Sequence, residues 1–319
     1  MRILVTGGVG FIGSHVCEAL LERGDDVLVI DNVNGFYDID NKLGNLKLLN
    51  DKARLNTTRS FNFLLTDITD KAKVGEAFDR GVDAVIHLAG MAGVRASVDD
   101  PLLYERVNVQ GTLNLLEECR KRGIGRFIAA SSSSVYGRNS KPPFREDEPA
   151  DRPSSPYAAT KRSLELHCAT YSELFGINCS CLRFFSVYGP RGRPDMAVWK
   201  FTEGILTKPP VVINGDGSIR RDLTYVGDVA QGVLAALDKA PRHEIFNLGR
   251  GQPTSMNELL AIVEKATGRK AEVEHRPAKD EDIPLTFADI SKARAMLGYE
   301  PKVTLEEGVR RFVEWYTQR

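Results

Sequence analysis

The chain begins Met1-Arg2-Ile3-Leu4-Val5-Thr6-Gly7-Gly8-Val9-Gly10-Phe11-Ile12-Gly13. Arg2–Thr6 is an apolar, β-branched run and predicts a strand. The glycines predict a tight turn. Phe11–Arg23 then carries apolar residues at helical spacing, and Gly24 stops it. Such a turn lets a pyrophosphate approach the backbone, where the first N–H groups of the helix are unpaired and its dipole is positive. Glycine turns without ligands are common, so the acidic partner matters. Asp26–Ile30 reads as a second strand, and Asp31 closes it. A carboxylate there accepts hydrogen bonds from a ribose diol and repels a 2′-phosphate, which selects NAD over NADP. The expected dinucleotide site is Gly7, Gly10, Phe11, Ile12 and Gly13 with Asp31.

Working outward, strand and helix patterns alternate. Phe61–Thr66 reads as a third strand, ending in Asp67, which is placed to meet the adenine. Ala84–Leu88 reads as a fourth, with Leu88 and Ala89 passing under the cofactor. Arg126–Ser132 reads as a fifth and Asn178–Phe184 as a sixth. One long helix is expected from Leu102 to Arg122, with Gly123 as its stop, and another over Tyr157–Phe175, ended by Gly176. Repeated strand–helix–strand units predict an α/β fold: a doubly wound parallel sheet of Rossmann type, with helices on both faces. Residues 186–221 are rich in turn-formers and read as loop. Val226–Asp238 reads as helix and Glu244–Leu248 as a strand returning to the sheet; Ala271–His275 is β-like. A smaller, discontinuous C-terminal domain is expected. Ligands in such sheets sit at the carboxyl ends of the strands.

Composition removes several classes of function. In 319 residues, 43 Lys and Arg balance 43 Asp and Glu, so there is no global field to hold nucleic acid or an anionic membrane. Apolar residues at 42% and charged residues at 27% are ordinary for a globular chain. No apolar run approaches the ~20 residues of a membrane span. Cys17, Cys119, Cys168, Cys179 and Cys181 form no C-x-x-C pair and read as reduced thiols in a cytoplasmic protein. The histidines show no metal-ligand spacing, so no metal is expected.

Tyr157 and Lys161 stand four apart, on one face of a helix. A free tyrosine is a poor base at neutral pH, since its pKa is about 10. A neighbouring ammonium, with a cationic nicotinamide, is expected to lower it. Such a pair takes a hydroxyl proton while hydride leaves the same carbon. The run Ser131-Ser132-Ser133-Ser134 closes the fifth strand, where a hydroxyl bridges tyrosine and substrate oxygen.

With these residues in place, the chain resembles the extended short-chain dehydrogenase/reductases, in the NAD-dependent nucleotide-sugar epimerase group. The resemblance runs almost end to end. It includes His87-Leu88-Ala89, Val107-Asn108-Val109-Gln110-Gly111-Thr112, Ser134-Val135-Tyr136-Gly137, Arg221-Asp222-Leu223-Thr224-Tyr225-Val226 and Ala288-Asp289-Ile290-Ser291-Lys292-Ala293. It implies Tyr157 as acid and base, Lys161 as anchor of the nicotinamide ribose, and Ser132 as the third catalytic residue. It adds Asn32, Ile68 and Asn108 to the cofactor site. It makes Arg221, and Arg276 as a second arginine, ligands of the UDP pyrophosphate. The stretch 276–282 differs in length from the usual Arg-Pro-Gly-Asp, which bears on Arg276 and Asp282. Gly90 replaces a common Ala, which is expected to be tolerated. The implied layout is an NAD-binding domain over 1–185 and 222–249, and a nucleotide-sugar-binding domain over 186–221 and 250–319. The group also implies a homodimer, built on the helices near 102–122 and 157–175; Leu113, Leu116, Leu164 and Cys168 on their apolar stripes serve either core or interface.

Within the group, three segments resemble UDP-glucuronate 4-epimerases: Asn34-Gly35-Phe36-Tyr37-Asp38, Ala92-Gly93-Val94-Arg95-Ala96-Ser97 and, most specifically, Phe184 to Ala197 with Arg191-Gly192-Arg193-Pro194-Asp195-Met196. They imply a sugar site of Arg95, Ser132, Ser133, Ser186 and Arg193. Arg193 is expected to grip the C5 carboxylate, with Arg191 as its competitor. The implied reaction interconverts UDP-glucuronate and UDP-galacturonate through a 4-keto sugar and transient NADH. The alternatives are 4-epimerisation of UDP-glucose/UDP-galactose or an N-acetyl relative, UDP-glucuronate decarboxylation, and a non-catalytic dinucleotide sensor. A dehydratase needs an Asp-Glu pair where this chain has Ser133-Ser134.

Overall fold

The computed structural model describes residues 1–55, 60–138, 141–278 and 283–319. The first six strands are β1 (Arg2–Thr6), β2 (Asp26–Asp31), β3 (Phe61–Leu65), β4 (Ala84–His87), β5 (Arg126–Ser132) and β6 (Asn178–Phe184). The next seven are β7 (Ser186–Tyr188), β8 (Val211–Asn214), β9 (Arg220–Tyr225), β10 (His243–Leu248), β11 (Pro253–Ser255), β12 (Val273–Arg276) and β13 (Leu285–Thr286). Seven form one parallel sheet in the order β10-β6-β5-β4-β1-β2-β3. The order reverses between β1 and β4, and there the carboxyl ends open a crevice.

Side chains of a strand alternate between faces. Ile3 and Val5 therefore pack with Val16, Leu20, Val229 and Val233 on one face, while Leu4 packs with Leu115, Leu116, Leu164 and Cys168 on the other. Both faces are apolar, so the strands read as near-continuous hydrophobic runs. Leu116, Leu164 and Cys168 are consumed by this chain's own core, whereas Leu113 is half-buried.

The helix Phe11–Arg23 ends at Gly24 with φ +92°, a left-handed cap that glycine adopts without strain. Pro156–Phe175 starts on Ser155, whose hydroxyl accepts from the Ala158 N–H at 3.1 Å.

The expected helix over 102–122 is not continuous. Pro101–Tyr104 leads into a π-helical turn, Glu105–Gln110, before Gly111–Arg122 resumes as α-helix. Such a turn inserts a residue without breaking the apolar stripe, so periodicity does not reveal it. Residues 186–221 hold more structure than expected. β7 and β11 flank β9, with β13 beside it, and the helix Ala197–Leu206 packs on β8 and on the helix Met256–Thr267. β8 and β12 form a separate pair.

Candidate active site

A cavity of about 470 Å³ runs along the carboxyl ends of the main sheet. Its wall begins at Asp31, passes the glycine turn, and ends at Tyr157, Lys161 and Arg193.

The turn is built from contacts that exclude side chains. Gly7 has φ +70°, and a Cβ there would lie 2.7 Å from the Ala89 nitrogen. A Cβ on Gly13 would lie 2.1 Å from the Gly7 oxygen. Gly10 caps the helix with no side-chain hydrogen bond, and its first turn carries no acid. The helix N-terminus thus faces the cavity through backbone alone, which fits a diphosphate. Buried Asp31 accepts from the Val33 N–H at 2.8 Å and the Val9 N–H at 3.3 Å. Burial raises its pKa, against these bonds and the Lys42 ammonium. Asn32 donates from Nδ2 to Asp67 Oδ2 at 2.8 Å, and Ile68, Leu88 and Ala89 complete the floor. Acid, glycine turn and apolar floor together fit a dinucleotide.

At the other end, the helix Pro156–Phe175 aims Tyr157, Lys161 and Glu165 at the sheet, one turn apart. Lys161 donates from Nζ to the Ala130 oxygen at 2.8 Å. Burial pulls its pKa down to about 8. Its Nζ is 6.0 Å from the Tyr157 ring centroid. Ser132 acts on the Tyr157 hydroxyl, pulling its pKa down against burial, and the Tyr104 and Tyr157 rings meet edge to face with centroids 6.2 Å apart. The expected depression of the tyrosine pKa is not found. Burial raises it, while Ser132 and the Arg193 charge pull the other way.

The serine run divides its work. Ser131 donates to buried Glu165 at 2.6 Å, and Glu165 holds buried Arg183 through two bonds of 2.8 and 2.9 Å. Ser132 donates to Ser134 Oγ at 3.1 Å, and Ser133 lines the cavity beside them. Ser186, at the start of β7, lines the same wall.

The two loop arginines separate cleanly. Arg193 lines the cavity, with its guanidinium 5.4 Å from the Phe36 ring centroid. Arg191 points to the outside of the first helix, donating to Glu18 at 2.5 Å and His15 Nε2 at 3.3 Å.

Other expected residues stand off the cavity wall. Asn108 sits in the π-helical turn and spends its amide on Met91, accepting from its N–H at 2.7 Å and donating to its oxygen at 3.0 Å. It orders the loop beside Lys161 instead of lining the site. A Cβ on Gly90 would meet Asn108 Oδ1 at 2.9 Å and Lys161 Nζ at 3.4 Å, so an alanine there requires a shift. Arg95 is exposed at the head of the short helix Ala96–Asp99. Arg221 is half-buried on β9 and donates to the Ile283 oxygen at 2.6 Å. Arg276 is exposed on β12 and pairs with Glu274 of its own strand at 2.7 Å, because residues two apart share a strand face. Asp282 lies outside the described residues.

Sequence reasoning singled out the segment 34–38 but gave no site role to Phe36 or Tyr37, and it missed Lys42 and Met91; all four line the cavity. The first three follow Asp31, so the segment joining β2 to its helix was the available signal. Lys42 donates to the Asn34 oxygen at 2.8 Å. Burial pushes the Tyr37 hydroxyl up to about 12.

Residues 3–249 match the family model of the NAD dependent epimerase/dehydratase family. A UDP-glucuronate 4-epimerase of Thermodesulfobacterium geofontis is 44% identical over 98% of this chain and 95% of its own length. The UDP-glucuronic acid 4-epimerase of Bacillus cereus, solved with UDP-glucuronic acid and NAD, superposes with a TM-score of 0.90 at 37% identity, covering 100% of this chain and 99% of that one. The UDP-glucose 4-epimerase of Thermotoga maritima, solved with UDP-glucose, gives 0.89 at 36% identity over the same shares. Overall shape therefore does not separate the two substrates, and the site must. The chain belongs to the NAD dependent epimerase/dehydratase family.

Proposed function

We propose that the protein is a UDP-glucuronate 4-epimerase, interconverting UDP-glucuronate and UDP-galacturonate with bound NAD. The observation that carries this is Arg193, a cation in the wall of the same cavity as Tyr157 and Ser132. A sugar carboxylate entering a half-desolvated site needs a paired cation, and a guanidinium meets it edge-on.

Asp31 and Asn32 would hold the adenosine ribose of the dinucleotide, Asp67 and Ile68 its adenine, and the backbone of Gly10–Gly13 its diphosphate. The oxidised nicotinamide supplies a hydride acceptor and a positive charge. Tyr157 removes the O4 proton and returns it after the 4-keto sugar has turned over. Ser132 holds the same oxygen, and Lys161 holds the nicotinamide ribose. Burial raises the Tyr157 pKa further from neutrality, so the base is competent only with a cation beside it. Ser133 and Ser186 border the sugar. Arg221, Arg276 and Arg95 stand off the cavity wall and would meet the UDP pyrophosphate or the sugar only if their strands and loop move inward. Residues 1–185 and 222–249 then serve the cofactor, and 186–221 with 250–319 serve the nucleotide sugar.

We extend the proposal to a cytoplasmic homodimer. Leu102 and Leu166 are 78% and 53% exposed on the helices Pro101–Tyr104 and Pro156–Phe175, an apolar surface suited to a two-fold partner. Five free, buried cysteines suit a reducing compartment. Among the described residues no helix is long and apolar enough to cross a membrane.

The test is incubation with UDP-glucuronate and UDP-glucose separately, without added NAD, with products identified by NMR. UDP-galacturonate from the first is the expected outcome. A UDP-pentose would mean decarboxylation, and turnover of UDP-glucose alone would move the function to hexoses. A monomer mass in light scattering would remove the dimer.

A further inference from the structure

Arg193 is not a bare cation. Asp195 takes its guanidinium edge-on, Nε to Oδ1 at 2.9 Å and Nη2 to Oδ2 at 2.5 Å. This is the geometry that any carboxylate prefers. Asp195 also lines the cavity. The other acids in that wall, Asp31 and Asp67, belong to the ends of β2 and β3, at the opposite end from Tyr157. Among the described residues, Asp195 is therefore the acid of the sugar end.

We propose that Asp195 is a specificity-determining residue, a built-in counter-ion for Arg193 that the carboxylate of an entering hexuronate displaces. The proposal rests on the hexuronate reading above. Exposure sets which partner leaves. The Arg193 side chain is 22% exposed and lies over Phe36, while that of Asp195 is 48% exposed. Asp195 can turn to water at little cost; Arg193 cannot leave without losing its ring contact. A neutral UDP-hexose leaves the pair intact, so no unpaired cation penalises it. A hexuronate exchanges one ion pair for another, so it gains less than it would from a free guanidinium. Asp195 thus narrows the preference for hexuronates.

The experiment compares wild type, Asp195→Asn and Asp195→Glu on UDP-glucuronate and UDP-glucose, as purified holoenzymes. Asp195→Asn should lower KM for UDP-glucuronate about three- to tenfold, with kcat changed less than about twofold and no gain on UDP-glucose. Asp195→Glu should stay within about twofold of wild type. In an Arg193→Ala background, Asp195→Asn should no longer lower KM. An unchanged or higher KM in Asp195→Asn overturns the proposal, as does a lower KM that persists without Arg193, which would be simple repulsion. If wild type turns over UDP-glucose but not UDP-glucuronate, the hexuronate reading fails first and the inference falls with it.

Discussion

Lys161 donates an ammonium hydrogen bond to the carbonyl oxygen of Ala130, 2.8 Å away, and so is tied to β5 rather than to Tyr157. No acid accompanies that bond, so burial dominates and the pKa falls from 10.5 to about 8. Between those values the unfolded chain binds more protons than the folded one, so folding gains stability as pH rises through that window. In protein freed of cofactor, the stability of wild type relative to Lys161→Met should rise between pH 8 and pH 10, by on the order of 2–3 kcal/mol at most. Paired thermal melts at stepped pH would show it. A flat difference would mean that the ammonium has a partner in solution.

Tyr157→Phe should keep the fold and the cofactor, because the ring still packs edge-on against Tyr104. Only the hydroxyl on which Ser132 acts is lost. Turnover should fall about 10²–10⁴-fold, the usual worth of a general acid–base group. Retention of more than about a tenth of the wild-type kcat would reassign the base.

Asp31→Asn should weaken NAD and relax its preference over NADP. The two carboxylate oxygens accept separately from the Val9 and Val33 N–H groups, so the amide oxygen keeps one of these bonds and the amide NH2 gives up the other, while the charge goes. Lys42, which also lines the wall, then stands as a cation near any 2′-phosphate, and the NAD/NADP ratio of dissociation constants should shift at least about tenfold, the ~1.4 kcal/mol of one charged contact. An unshifted ratio in a titration calorimeter would show that Asp31 serves the glycine turn only.

The strands of the main sheet and the glycine turn were legible because each carries its own local signal. Val27–Ile30 is an unbroken apolar run, and Gly7 stands where a positive φ is required. The Tyr157/Lys161 face was legible from its spacing together with the serine run that closes β5. The π-helical turn was not, since Asn108 keeps its place in a helical pattern while its amide turns to Met91. Nor was the fate of Arg276, whose pairing with Glu274 depends on β12 running beside β8. Non-local pairing of short strands leaves little trace in four residues of sequence. The sign of the Tyr157 shift was also out of reach, because it depends on burial outweighing the opposing pull of Ser132 and Arg193, and the depth of burial is not written in the sequence.

Arg191 and Arg193 read alike in sequence and should behave oppositely. Arg191 has φ +62° and ties the loop after β7 to Glu18 and His15 of the first helix. Burial pushes His15 down to about 3, so it stays neutral there. Glu18 is held ionised against burial by Arg191 and Lys52. Arg191→Ala should therefore cost stability, about 1–3 kcal/mol for a partly buried charged bond, and lower turnover of UDP-glucuronate and UDP-glucose by similar factors. Arg193 reaches the sugar end of the cavity. Arg193→Ala should leave the melting temperature near that of wild type. It should reduce kcat/KM for UDP-glucuronate about 10²–10³-fold, the loss expected when a carboxylate enters a half-buried site without its cation. UDP-glucose, which brings no carboxylate, should change less than about tenfold. Steady-state kinetics of both variants on both substrates, beside their melts, give four comparisons. Equal losses on the two substrates for Arg193→Ala would make it structural, and a glucuronate-selective loss for Arg191→Ala would hand it the carboxylate.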